Sequence, residues 1–304
     1  MTRRVAVTGS SGFIGSNLTA TLRERGDEVI AIARPFDAAR IAAQIAGADA
    51  LVHLAGLVSA ATDRAFVEAN VEGTRVVAEA AWRASVPVVD VSSLAAGGPA
   101  PAAAPRVEDD EDAPLTAYGR SKLGGEQALR AIDGLRWTIL RPTVVYGPGD
   151  RAMLPLFRLA ARGVLPHVGR RSAAYMFVHV RDLVRTIDRA IDARAWSETM
   201  FVCHPRTVTT REILECAQQA VGRHGPIVRI PDVVLRAAAA AGDVVGRIRG
   251  RRTLIDGPRY RELSAVGFVC RVDRLHDRLG VVAGIDLPEG FSETAAWYRA
   301  EGWL

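Results

Sequence analysis

The chain has 304 residues, enough for one large α/β unit or a nucleotide-binding domain with a smaller lobe, and its 49% hydrophobic and 24% charged content are those of a globular protein. Its longest apolar stretches are interrupted too early to span a bilayer, and Met1 to Arg4 run straight into Val5-Ala-Val-Thr8 with no room for the apolar part of a signal peptide, so a cytoplasmic protein without a membrane partner is expected. The net charge of +5 and the arginines at 247, 249, 251, 252, 259 and 261 have no DNA-binding motif or aromatic-interleaved stripe beside them, and read as a solvated basic face rather than a nucleic-acid site.

In chain order, β-branched runs near Val5–Thr8, Val29–Ala33, Ala50–Leu54, Val86–Val91 and Trp137–Arg141 alternate with helical patterns at Phe13–Arg25, Ala39–Ala46, Phe66–Ala84 and Tyr118–Ile132. Such alternation predicts a Rossmann-type, doubly wound parallel α/β sheet. The first strand leads into Thr8-Gly-Ser-Ser-Gly-Phe-Ile-Gly15 and then a helix. Gly9 suits a tight turn, Gly12 a close approach of pyrophosphate to backbone and Gly15 helix-against-strand packing, while the first helical amides face the anion. A dinucleotide is therefore expected. The second strand ends Ala31-Ile-Ala-Arg34 with a base where NAD-preferring folds carry an acid, so Arg34 is expected to pair with a 2′-phosphate: NADP(H) preferred, NAD(H) second.

The fourth strand ends in Ser92-Ser93, at the carboxyl edge where ligands of such sheets bind. Residues 95–114, rich in alanine and proline and then acidic, read as an exposed loop with a solvated acidic run. Tyr118 and Lys122 follow, four residues apart and so on one helical face. A tyrosine ionises near pH ~10, and a neighbouring ammonium lowers that value and makes it a usable general acid/base. Lys122 is the only lysine among the 39 basic residues, which points to a need there for a compact ammonium that arginine does not meet.

After Pro142 the alternation loosens into a lobe expected to face substrate. The nucleotide domain is expected at 1–142 plus about 177–195, and the lobe at 143–176 plus about 196–304. The alanine-rich stretch Val233–Val245, broken by Arg236 and Asp243, reads as a lobe helix rather than a membrane-surface one. Cys203, Cys216 and Cys270 have no ligand spacing and read as packing residues, with no metal site.

With these residues in place, the chain resembles the extended short-chain dehydrogenase/reductases, the NAD(P)-dependent epimerase/dehydratase family, nearest to dihydroflavonol-reductase-like and hydroxysteroid-dehydrogenase-like members. The shared landmarks are Gly9–Gly15, HLAG at 53–56, NVEGT at 70–74, Ser92-Ser93, Tyr118 with Lys122, RPTVVYGPG at 141–149 and FVHVRD at 177–182. The resemblance implies a catalytic set of Ser93, Tyr118 and Lys122, with Lys122 also on the nicotinamide ribose and His53 structural. It implies cofactor contacts from Gly9, Ser11, Gly12, Phe13, Ile14, Gly15, Arg34, Leu54, Ala55, Gly56, Ser92, Pro142 and Val145, and by analogy a homodimer. Departures bear on substrate: Leu94-Ala95 follow Ser93 where 4,6-dehydratases carry Asp-Glu, and Val144 and Tyr175 stand where sugar-nucleotide epimerases grip a diphosphate with Asn and Arg, with Arg170 or Arg171 near enough to compensate. A strand between Arg34 and Ala50, and its acidic adenine contact, are missing. The reading that follows is an NADP-dependent oxidoreductase acting on a ketone, aldehyde or secondary alcohol of an apolar small molecule. An NAD-dependent sugar-nucleotide epimerase is the alternative, and a non-catalytic NADP sensor a further one.

Overall fold

The computed structural model describes residues 2–249, 253 and 255–304; Arg251 and Arg252 of the basic cluster lie outside them. The strands are β1 (Arg4–Thr8), β2 (Glu28–Ile32), β3 (Ala50–His53), β4 (Val88–Val91), β5 (Trp137–Pro142), β6 (Val144–Tyr146), β7 (Leu165–His167), β8 (Ala174–Tyr175), β9 (Phe177–His179), β10 (Glu198–Val202), β11 (Val208–Thr209), β12 (Ile227–Arg229) and β13 (Gly267–Phe268). Six of them form the main sheet in the order β10-β5-β4-β3-β1-β2, with every pair parallel.

This sheet is buried on both faces, which is why its central strands are runs of Val, Ala, Ile and Leu rather than alternating apolar and polar. The two-residue period still sorts the side chains. Val5, Val7, Val52 and Val89 meet the helices Phe13–Glu24 and Val180–Ala193, while Ala6, Leu51, Val88 and Ile139 meet Ala38–Ile45, Gly73–Arg83 and Ala117–Arg130.

The structure departs from the sequence expectations in three places. The helix expected over Phe66–Ala84 starts earlier, at Asp63, with Thr62 as its cap, and is broken by a π-helical turn, Val67–Glu72, before it resumes at Gly73. The sheet takes in β10, a segment expected in the lobe, and the helix Asp273–Leu279 packs beside it with Leu275 and Leu279 in the sheet's core. The acidic run in 95–114 is not merely solvated: Asp112 takes both guanidinium nitrogens of buried Arg141 at 2.7 and 2.8 Å, and Glu108 accepts from the Phe201 amide at 3.0 Å. Asp37 caps the helix Ala38–Ile45, which leads from β2 straight to β3, so β2 is the sheet's outer strand, as the missing strand anticipated.

A separate aromatic core lies away from the main sheet, in which Phe157 is 5.0 Å from Phe291 and 5.2 Å from Tyr298 between ring centroids. All three cysteines are buried and free, with Cys203 and Cys270 packed sulfur to sulfur at 3.6 Å. No described helix is long and apolar enough to cross a membrane.

Candidate active site

The turn after β1 is built for close approach. Gly9 has φ +67°, and a Cβ on it would lie 2.9 Å from the Ala55 amide nitrogen; one on Gly15 would lie 2.1 Å from the Gly9 carbonyl oxygen. Gly12 caps the helix Phe13–Glu24 without a side-chain bond and no acid stands in the first turn, so the leading amides are left for an anion. Thr8 Oγ1 accepts from the amides of Leu54 and Ala55 at 3.1 and 3.2 Å and so ties the ends of β1 and β3 together. Phe13, Ile14, Leu54 and Val145 rest half-buried on one core cluster, while Ser11 is exposed at the turn. Pro142 ends β5, opposite Val202 of β10.

The residues expected to do acid/base work are carried by elements at the carboxyl end of β4. Ser93 is extended and caps the short helix Leu94–Gly97, its Oγ accepting from Ala95 N at 3.2 Å. Thr116 caps the helix Ala117–Arg130, which sets Tyr118 in its first turn and Lys122 one turn on. Lys122 Nζ donates to the Val91 carbonyl oxygen at 2.8 Å, two residues before Ser93. A Cβ on Gly56 would lie 4.0 Å from Lys122 Nζ, so the loop after β3 reaches the same point. Tyr118 is half-buried, with its ring 6.1 Å from that of Phe66. Lys122, the turn at Ser93 and the loop at Gly56 thus meet at the end of β4, with Tyr118 one turn before Lys122 on the same helix.

Two expected cofactor residues stand differently. Ser92 is buried with its Oγ donating to Glu126 Oε1 at 2.5 Å, leaving its backbone as its only means of reaching a ligand. Arg34 is exposed just beyond β2, its guanidinium carbon 5.6 Å from the Phe36 ring centroid. A nicotinamide dinucleotide fits these residues: the glycine turn is a cradle that a Cβ would fill, the helix amides above it lack a side-chain cap, and the Lys122 ammonium is held at the end of β4 beyond it.

The family model described as the NAD dependent epimerase/dehydratase family matches residues 5–203, a span that runs from β1 through β10. The chain belongs to this family. Its members are NAD(P)-dependent enzymes of the extended short-chain dehydrogenase/reductase type. The chain is 30% identical to a ceramide reductase of Caulobacter vibrioides, over 99% of this chain and 96% of that one. It is 31% identical to a 4-hydroxy-2-methyl-3-oxo-4-farnesyl-3,4-dihydroquinoline-1-oxide ketoreductase of Stigmatella aurantiaca, over 80% and 81%. The solved structure of MoeE5 in complex with UDP-glucuronic acid and NAD superposes with a TM-score of 0.78 at 24% identity, over 98% of this chain and 99% of that one, and so shares the fold.

Within this member of the epimerase/dehydratase family, several supporting residues are invisible to a linear reading because their partners are distant in the chain. A Cβ on Gly119 would lie 2.4 Å from the Ala95 carbonyl oxygen, so only glycine lets the Tyr118 helix settle against the Ser93 turn. Asn70 bonds both Leu57 backbone groups and donates to Ser121 Oγ at 2.9 Å, joining the loop after β3 to the same helix. Beneath them, Glu126 takes Ser92, Arg130 and Arg141 together. Asp90, on β4, is buried, and its Oδ1 receives no hydrogen bond among the described residues. Burial pushes its carboxyl up to about 6 and Glu126 adds to this, against the charges of Lys122 and Arg130. His53 lies between Thr8 Oγ1 and Thr74 Oγ1 at 2.7 and 3.1 Å, and burial, reinforced by Lys122 and Arg34, pushes it down to about 3. It stays a neutral packing group.

Proposed function

We propose that this chain is an NADP-dependent reductase of a ketone or aldehyde within an apolar small molecule, running in reverse on the corresponding secondary alcohol. The observation that supports this reading is the seating of Lys122 Nζ on the Val91 carbonyl, two residues before Ser93, from the helix that carries Tyr118 one turn earlier. The bound nicotinamide supplies a hydride to the carbonyl carbon. Tyr118 gives its phenolic proton to the carbonyl oxygen, completing the alcohol. Ser93 Oγ accepts from Ala95 N, which leaves its own proton free to hold that oxygen in line. The ammonium of Lys122 favours the phenolate that Tyr118 becomes.

Two departures support the substrate class. Val144, 42% exposed, and half-buried Tyr175 occupy the positions expected to grip a diphosphate in sugar-nucleotide members. Arg170, one of the arginines that would stand in for them, spends its Nε on the Ser264 carbonyl at 2.9 Å. The ceramide and farnesyl groups named for the two relatives are themselves largely hydrocarbon.

The test is loss of reduced-nicotinamide absorbance with NADPH and a panel of long-chain ketones, aldehydes and sugar nucleotides. An apolar carbonyl compound is expected to be consumed, and Tyr118→Phe to lower kcat by about a hundredfold or more. Isomerisation of a sugar nucleotide without NADPH loss, or wild-type turnover by Tyr118→Phe, contradicts the reading.

A further inference from the structure

The helix Asp232–Arg249 is the longest of the described helices, yet only Leu235 and Ala239 of its eighteen residues are buried. Successive residues turn about 100° around a helix axis, which puts Leu235, Ala239, Gly242 and Gly246 on one strip. That strip faces the protein: a Cβ on Gly242 would lie 1.9 Å from the Ile255 carbonyl oxygen. Both acids of the helix are engaged on the protein side as well. Asp232 accepts from Tyr260 Oη at 3.1 Å, and Asp243 accepts from the Gly257 amide at 3.0 Å. Asp243, which interrupts the stretch in the sequence, therefore leaves the outward face untouched.

The opposite strip carries Val233, Ala237, Ala240, Val244 and Ile248, all exposed, with Val233 at 72%, Val244 at 55% and Ile248 at 80%. A helix facing water normally turns its polar residues outward. Here the outward face is apolar over about four turns, with exposed Arg236 and Arg247 along one edge, Val234, Ala241 and Val245 widening it on the other, and exposed Arg249 at the helix end. A single exposed valine is ordinary, but a continuous apolar strip bordered by exposed arginines is the pattern of a helix lying in a membrane interface.

We propose that this face docks on an anionic lipid surface, its apolar strip at the boundary of headgroups and acyl chains and its arginines on lipid phosphates. Charge complementarity selects this occupant. A second copy would bring the same arginines and no acid of this helix to meet them, since Asp232 and Asp243 are engaged on the protein side, whereas an anionic bilayer supplies both an apolar layer and the opposite charge. Exposed Arg229, just before the helix, adds to the same basic field. The docking is a property of the surface and stands apart from the reaction proposed above.

The test is sedimentation of the full-length protein, without substrate, with vesicles of phosphatidylcholine alone or with phosphatidylglycerol added. Binding to the anionic vesicles is expected to exceed that to neutral ones by about tenfold and to fall as salt is raised. Ile248→Glu and Val244→Glu, at exposed positions, are expected to lower it by about tenfold, with circular dichroism and melting temperature as in wild type. Arg247→Glu should lower it in the same direction. The proposal is overturned if wild type binds neither vesicle, or if Ile248→Glu binds as wild type does. It is also overturned if sedimentation velocity shows a dimer that Ile248→Glu dissolves while vesicles are ignored, since a second copy then covers the strip. Because binding is read rather than turnover, failure of the reductase reading leaves this result standing.

Discussion

Asp90 sits in β4, three residues before Ser93, under the helix that carries Lys122 and Glu126. Its raised carboxyl means that the folded chain holds a proton which the unfolded chain releases. Between about pH 4 and pH 6 the folded state binds more protons, so this group's stabilisation is full at the acid end and lost as pH rises through about 6. Asp90→Asn keeps the shape without the charge. It is expected to match wild type near pH 4 and to exceed it at pH 7 by an amount on the order of 2 kcal/mol, read as melting temperature against pH. Parallel curves would mean that Asp90 stays ionised against Lys122. The sequence reading could single out Tyr118, Lys122 and the three glycines because the chemistry expected of them needs residue types at fixed local spacing. It gave no role to Asp90, and it named Asn70 only as part of a landmark motif, because their partners are distant in the chain.

At the level of elements, alternation sufficed for the main-sheet strands β1 to β5 and the helices between them, since a sheet buried on both faces imposes that pattern on the chain. The π-helical turn Val67–Glu72 was not legible, because its cause is tertiary: the backbone there meets the Tyr118 helix so closely that a Cβ on Gly125 would lie 2.3 Å from the Asn70 carbonyl oxygen. The loop 95–114 was misjudged for a similar reason, its acids being claimed by Arg141 and by the amide of Phe201 from strands still to come. Gly119 joins these elements. Gly119→Ala must push the helix off Ala95 and so move Tyr118 relative to Ser93. It is expected to lower kcat by at least about tenfold, with little change in KM for the nicotinamide, because the cradle at Gly9–Gly15 belongs to another turn. Steady-state kinetics of a folded Gly119→Ala protein would separate this from a mere loss of stability, which would leave kcat per folded molecule intact.

For the molecule as a whole, the sheet ends at β2, and Arg34 emerges from that open edge into solvent. A cofactor lying along the strand ends would meet its 2′ substituent at this edge, where Arg34 stands with the Arg40 guanidinium beside it on the Ala33 and Pro35 carbonyls. Arg34→Ala is expected to shift the ratio of KM for NADPH to KM for NADH by about tenfold against NADPH, the value of one charge-assisted pair; an unchanged ratio would remove Arg34 from cofactor choice. The anchoring of Lys122 on Val91 has another consequence, this one for chemical labelling. Lys122 bears the chain's sole side-chain amine, so reductive methylation with labelled formaldehyde would place the only ε-dimethylamine reporter at the end of β4, beside one from the α-amine. Its resonance is expected to follow the arrival of nicotinamide, and the arginine side chains, which do not react, would add no signal.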